Sequence, residues 1–169
     1  KEYSNPVVAT PFQQAIQDGM VIGHPITATS LSNDGTMFVS GNVMGEIQLW
    51  NSEAIETPSR WNEAVPRTQS ISIRPIRSID VSSSKQLIAI CDEQQFIVVG
   101  AEDFSPKMKH EIQAGEYTVV RFIDRELVAI GTDNGLVDIW RISDNKRTMR
   151  FFAGGGAVTG ITADSTQKA

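Results

Sequence analysis

Cysteine is almost missing from this chain, Cys91 being its one thiol. A disulfide framework needs pairs of thiols, so none is expected within the chain, and a thiolate zinc site is short of ligands. Histidine is nearly as scarce, with His24 and His110 alone. No apolar run approaches the roughly 20 residues that cross a bilayer, and residues 1–10 lack the continuous apolar core of a signal peptide. Positive charge is also in short supply: 15 Lys and Arg stand against 20 Asp and Glu, a formal charge of -5. The average field therefore does not draw the chain to phosphate backbones or anionic membranes, although a negative average does not preclude a local basic patch. These absences point to an intracellular protein of the cytoplasm or nucleus, without membrane insertion. What is present suffices for a core, since 40% of the 169 residues are hydrophobic.

Self-similarity organises the rest. Residues 36–41, 86–91 and 126–131 each place mostly apolar residues before a small one, Gly41, Cys91 and Gly131. Such runs suit strands buried on both faces. After a short polar turn a second run follows at 46–50, 96–100 and 136–140, and the first and third of these alternate in the two-residue period of a strand. Gly41 to Cys91 is 50 residues and Cys91 to Gly131 is 40, and Trp50, Gly100 and Trp140 repeat the same two intervals. Before each pair lies a further candidate strand, at 26–31, 76–81 and 118–123, followed by turn-forming residues such as Ser32, Asn33, Asp34 and Gly35. A fourth copy begins at Val158, 40 residues after Thr118.

Four short strands per unit and a period near 40 residues predict an all-β fold of β-propeller blades, about three of them plus part of a fourth. A β-sandwich would not account for the regular period. Residues 1–22 are expected to end a preceding blade or to lead in, and residues 15–22 fit either a strand or one face of a helix. Residues 23–75 form a first blade with a long connection, 76–117 a second, 118–157 a third, and 158–169 begin a fourth. The outermost strands are expected at 107–112 and 148–152. A closed propeller needs 4 to 8 blades, so the chain is expected to be a segment of a larger protein or to complete its ring with a partner's blades.

Gly23-His24, the turn at 32–35, Ser40-Gly41 and Leu49-Trp50 together resemble a WD repeat, in which a Gly-His pair opens the unit and Trp-Asp closes its third strand. Gly131, Thr132, Asn134 and Trp140 resemble a second, while Gly100 stands where the middle unit's tryptophan belongs. The resemblance implies a hydrogen-bonded group of histidine, hydroxyl, aspartate and indole in each repeat. His24, Ser40 and Trp50 offer three members in the first unit, where Met44 replaces the aspartate. Thr132, Asn134 and Trp140 are the third unit's signature, and no histidine precedes it. One net hydrogen bond is worth about 0.5–1.5 kcal/mol, so an incomplete network leaves the fold to apolar burial.

The resemblance implies a protein–protein interaction scaffold within a multisubunit complex, not an enzyme, with no cofactor and no metal. A subunit of an RNA-containing assembly, such as a ribosome-biogenesis complex, is the second reading, and a propeller enzyme the third. The residues agree with the first. His24 belongs to the opening pair, His110 reads as a solvated outer-strand residue, and Asp34, Asp92, Asp124, Asp133 and Asp144 fall in or beside turns. Gly154, Gly155 and Gly156 lack the lysine and helix of a phosphate-binding loop and read as a connection. Lys146, Arg147 and Arg150 read as a solvated hairpin. The connection from Trp50 to Ile76 spans 26 residues against 18 in the other two units. It carries Arg60, Trp61 and Arg67, residue types enriched in binding hot spots, and these are the candidate partner-binding residues.

Overall fold

The computed structural model describes residues 24–51 and 66–163. They form twelve strands: β1 (Ile26–Leu31), β2 (Met37–Asn42), β3 (Glu46–Asn51), β4 (Arg67–Ser70), β5 (Ser78–Val81), β6 (Leu87–Cys91), β7 (Gln95–Gly100), β8 (Pro106–Glu111), β9 (Tyr117–Phe122), β10 (Leu127–Thr132), β11 (Leu136–Arg141) and β12 (Lys146–Phe152). Three four-stranded antiparallel meanders result, β1 to β4, β5 to β8 and β9 to β12, each in chain order. β1 lies beside β5 and β5 beside β9, so the sheets fan outward from their first strands. The expected all-β, propeller-like arrangement of four-stranded blades is borne out. The expected strand of residues 15–22 lies outside the described residues.

Strand alternation decides which side chains meet. On β2 and β3, Val39, Ile47 and Leu49 face the second sheet, where Ile76, Ile79, Val81, Ile88, Ile90 and Val99 receive them. On the second sheet's other face Ala89, Cys91, Phe96, Val98 and Met108 meet Val120, Phe122, Val128, Ile130 and Trp140 of the third. Every sheet thus has a leading face, toward the lower-numbered sheet, and a trailing face. Full burial of one Val, Leu or Ile is worth about 1.5–3 kcal/mol, so these two seams supply most of the stabilisation.

The small residue closing each second strand has a steric cause. A Cβ on Gly41 would stand 2.8 Å from Cβ of Ile76, and one on Gly131 would stand 2.7 Å from Cβ of Val158. Each glycine is the floor on which the following unit's first apolar residue rests. The same step recurs in the backbone, where Ile76 N donates to Asn42 O at 3.1 Å and Val158 N to Thr132 O at 2.9 Å. Residues 158–163 therefore lie where a fourth unit would begin, although they form no assigned strand.

Replacing Gly41 by Val should force Ile76 and Ile79 aside and cost about 1–3 kcal/mol. The measurement is the urea midpoint at unchanged m-value; an unshifted midpoint would show that the floor yields.

Candidate functional site

The turn after each second strand is built by one polar side chain at a fixed register. Asn42 Oδ1 accepts from Met44 N at 2.9 Å and Glu46 N at 3.1 Å. Asp92 Oδ1 accepts from Gln94 N at 2.6 Å and Gln95 N at 2.9 Å. Thr132 Oγ1 accepts from Leu136 N at 3.0 Å and donates to Asn134 Oδ1 at 2.7 Å. All three are buried, so each satisfies donors that water cannot reach. These residues follow Gly41, Cys91 and Gly131 directly, a signal present in the sequence but carried by three different residue types.

The repeat signature is realised in part. Trp50 Nε1 donates to Ser40 Oγ at 3.3 Å, whereas His24 is exposed and makes no bond to either among the described residues. In the third sheet Ile130 stands at the register of Ser40, pairing Asp138 as Ser40 pairs Gln48. Trp140 Nε1 is consequently buried without a partner, and Thr132 and Asn134 serve the turn rather than the indole. Arg60 and Trp61 lie outside the described residues. Arg67 sits on β4, not in a loop. Its guanidinium donates to Ala101 O at 2.6 Å and to Glu102 O, and lies 5.3 Å above the Phe104 ring. It binds the first sheet to the second.

The seam between the second and third sheets holds the densest chemistry. His110 is half-buried rather than solvated, because β8 turns it toward β9 and β11. Its Nδ1 lies 2.8 Å from Tyr117 Oη, and its ring is 4.3 Å from that of Trp140. Phe96 packs edge-on to Tyr117 and Trp140 at 5.5 and 5.7 Å. Beside them buried Asp138 accepts from Arg150 Nε at 2.6 Å and Nη2 at 2.7 Å, with Arg147 at 3.5 Å. Arg147 and Arg150 are exposed, as expected of a solvated hairpin, but both are paired with Asp138 rather than free. Burial pushes the His110 pKa below its ordinary 6.5, with Asp138 and Glu111 opposing and Arg147 and Arg150 assisting. Burial likewise raises Tyr117 and pushes the Cys91 thiol up to about 12, which leaves it a neutral apolar contact. Nearer the first strands, Asp80 accepts from Arg121 Nη1 and from Phe122 N, both at 2.7 Å.

Another kind of surface lies at the turn ends of the first two sheets. Ile71 N and Ser72 N both donate to Gly45 O, which ties the turn bearing Met44 to the connection bearing Ile73. Met44 is 52% and Ile73 88% exposed. Beside them a groove of about 470 Å³ runs between the sheets, lined by Ile71, Ile73, Gln94, Gln95, Lys109 and Ile112. Among the described residues no three His, Cys, Asp or Glu gather as metal ligands, and no helix is long and apolar enough to cross a membrane.

Geometry places the chain in the class of all-β, propeller-like arrays whose sheets are joined by apolar seams and buried polar links. No model of a known family matches the chain, and no curated protein matches its sequence.

Two outcomes follow for the second seam. Asp138→Asn leaves two arginines facing a neutral amide, and because both are partly exposed the expected loss is about 1–3 kcal/mol, read by denaturant unfolding. His110 is depressed in the folded state, so its contribution is complete above about pH 6.5 and declines as pH falls below that value, where the unfolded chain takes up the proton first. His110→Phe should flatten the stability profile below about pH 6.5; an unchanged slope would show that the ring does not titrate against folding.

Proposed function

We propose that the chain is a non-catalytic protein–protein interaction scaffold. One observation carries this reading: Ile73 and Met44 project into solvent from a braced turn pair, next to a groove lined by both apolar and amide side chains. A large apolar side chain held 88% exposed on rigid backbone can dock at small entropic cost. Proteins supply the matching mixture of apolar groups and amides. The buried carboxylates support the same reading, since Asp80, Asp92 and Asp138 spend their acceptor positions on backbone N–H groups, on neighbouring side chains and on arginines of the seams. A place in a multisubunit complex extends this proposal, with Arg60 and Trp61 as further contact candidates.

The test compares wild type with a Met44→Asp, Ile73→Asp double variant and with Trp61→Ala. Crosslinking and mass spectrometry of partner complexes should show protein partners depleted about tenfold in the double variant. Its unfolding midpoint should stay within about 0.5 kcal/mol of wild type, as for exposed positions generally. Titration with labelled RNA across a salt series separates the second reading. Tight binding that weakens steeply with salt and ignores both variants would replace the scaffold by an RNA-binding subunit.

A further inference from the structure

Among the described strands β8 is the outer edge of the second sheet, so one side of its backbone has no partner there. Ile112 N donates to Gln94 O at 2.8 Å, which makes Gln94 and Ile112 a hydrogen-bonded pair of the β7–β8 ladder. Bonded and non-bonded pairs alternate in an antiparallel ladder, so His110 and Met108 also turn their N–H and C=O groups to β7. Lys109 and Glu111, opposite Ile97 and Gln95, turn theirs away. Gln95 agrees with this phase, because its carbonyl accepts from Asp92 N at 3.0 Å, on the side away from β8. The side chains of Lys109 and Glu111 line the groove beside Ile73, so free backbone and groove adjoin.

The three outer edges differ. β4 has four residues, and its Ser70 O accepts from Gln69 Nε2 at 3.1 Å. β12 carries Lys146, Arg147 and Arg150, and charge of one sign keeps foreign strands off an edge. On β8, Pro106 and Lys107 blunt the first half in the same way. In the half nearer Ile112, however, Lys109 and Glu111 pair with each other at 3.2 Å and leave the edge neutral. Apolar surface is also concentrated there. The bonds Ile71 N to Gly45 O, Ile112 N to Gln94 O and Ala153 N to Gly135 O mark one position in the three sheets. Two residues further on stand Ile73, Ala114 and Gly155. Of these Ile73 alone is large, and it borders the groove that β8 closes.

We propose that an extended segment of a partner protein adds to β8 as a fifth, antiparallel strand, bonded to the backbone of Lys109 and Glu111 and seating an apolar side chain against Ile73. Such a segment gives a form to the partner of that same surface, and so rests on the scaffold reading. Charge complementarity fixes its order. Residues directly opposite in a ladder share a face, so an acidic residue opposes Lys109 and a basic one, two positions earlier, opposes Glu111. Two positions earlier again, past the end of β8, the side chain reaches Ile71, Ile73 and Ile112. Read from its N-terminus the segment is apolar, any, basic, any, acidic. Seams on both faces of the second sheet hold β8 in place beforehand, so the ladder forms at small entropic cost.

The probe is the blocked peptide Thr-Ile-Thr-Lys-Thr-Glu-Thr, titrated into the whole chain. Saturation below about 1 mM is expected, with amide hydrogen exchange slowed at Lys109 and Glu111 and unchanged at His110, whose N–H already bonds β7. A peptide that does not saturate in that range would overturn the proposal. N-methylation of the peptide's Lys and Glu, whose N–H groups face β8, should weaken binding about tenfold, and N-methylation of the two Thr between Ile and Glu by no more than about twofold. Equal losses would show side-chain docking without a ladder. Exchanging the peptide's Lys and Glu should cost about threefold to tenfold, and a Lys109→Glu, Glu111→Lys double variant should reverse that preference; a preference that stays would contradict the assigned register. If partner complexes depend on Met44 and Ile73 while the peptide leaves exchange at Lys109 and Glu111 unaltered, strand addition fails and the scaffold reading stands.

Discussion

Burial of one sheet's trailing face on the next sheet's leading face is the constraint from which the rest of this structure follows. A four-stranded meander has two apolar faces and cannot hide either by itself. Here Val39, Ile47 and Leu49 gain their burial from Ile76, Ile79 and Ile88, and Phe96, Val98 and Met108 from Val120, Val128 and Trp140. At the first and third of the steps from one unit to the next, Ile76 and Val158 come so close that no side chain fits beneath them, which explains Gly41 and Gly131. The middle unit keeps Cys91 at that register, where its neutral thiol packs within the second seam.

Polar groups in the seams are subordinate to this packing, yet they set its registration. Asp80 fixes β5 to β9 through a backbone N–H and an arginine, and Asp138 draws the arginines of β12 across its own sheet. Asn42, Asp92 and Thr132 perform one task with three chemistries because the task requires only an acceptor within reach of one or two backbone N–H groups of the turn. That economy explains how the repeat tolerates so degenerate a signature. Trp140 shows the other side of it. Its indole N–H has lost the hydroxyl that Trp50 finds in Ser40, but Phe96 and His110 hold the ring by contact. An unmade hydrogen bond costs about 1–3 kcal/mol, comparable with the burial of a single large side chain.

The seams and the sheet ends divide the work of the molecule. Among the described residues the large apolar side chains of the two seams pack against one another, and Asp80 and Asp138 are committed to holding strands in place. At the turn ends and on the outermost faces, apolar side chains stand free on backbone that the seams make rigid. The proposed scaffold role rests on that division, with its contact surface drawn from residues that contribute little to the fold.

Much of the fold was legible in residue order. Three units could be read, with all four strands of the second and third and the first three strands of the first, because alternation, the small residue near the end of the second strand and the turn residues all recur at matched intervals. β4 could not be read, since Arg67–Ser70 is four polar residues whose strand character comes only from pairing with β3. Arg67 accordingly passed for a loop residue, when its partners are carbonyls 34 and 35 positions away. His110 passed for a surface residue because its neighbours on β8 are Lys109 and Glu111, and only the seam reveals that the ring faces Tyr117 and Trp140. The sequence by itself determined the repeat, the strand alternation and the turns, because these depend on neighbours a few residues apart. Tertiary structure alone decided which face each side chain shares, which charges are paired and which apolar groups stay in water, because those outcomes depend on sheets joined across 40 or more residues of chain.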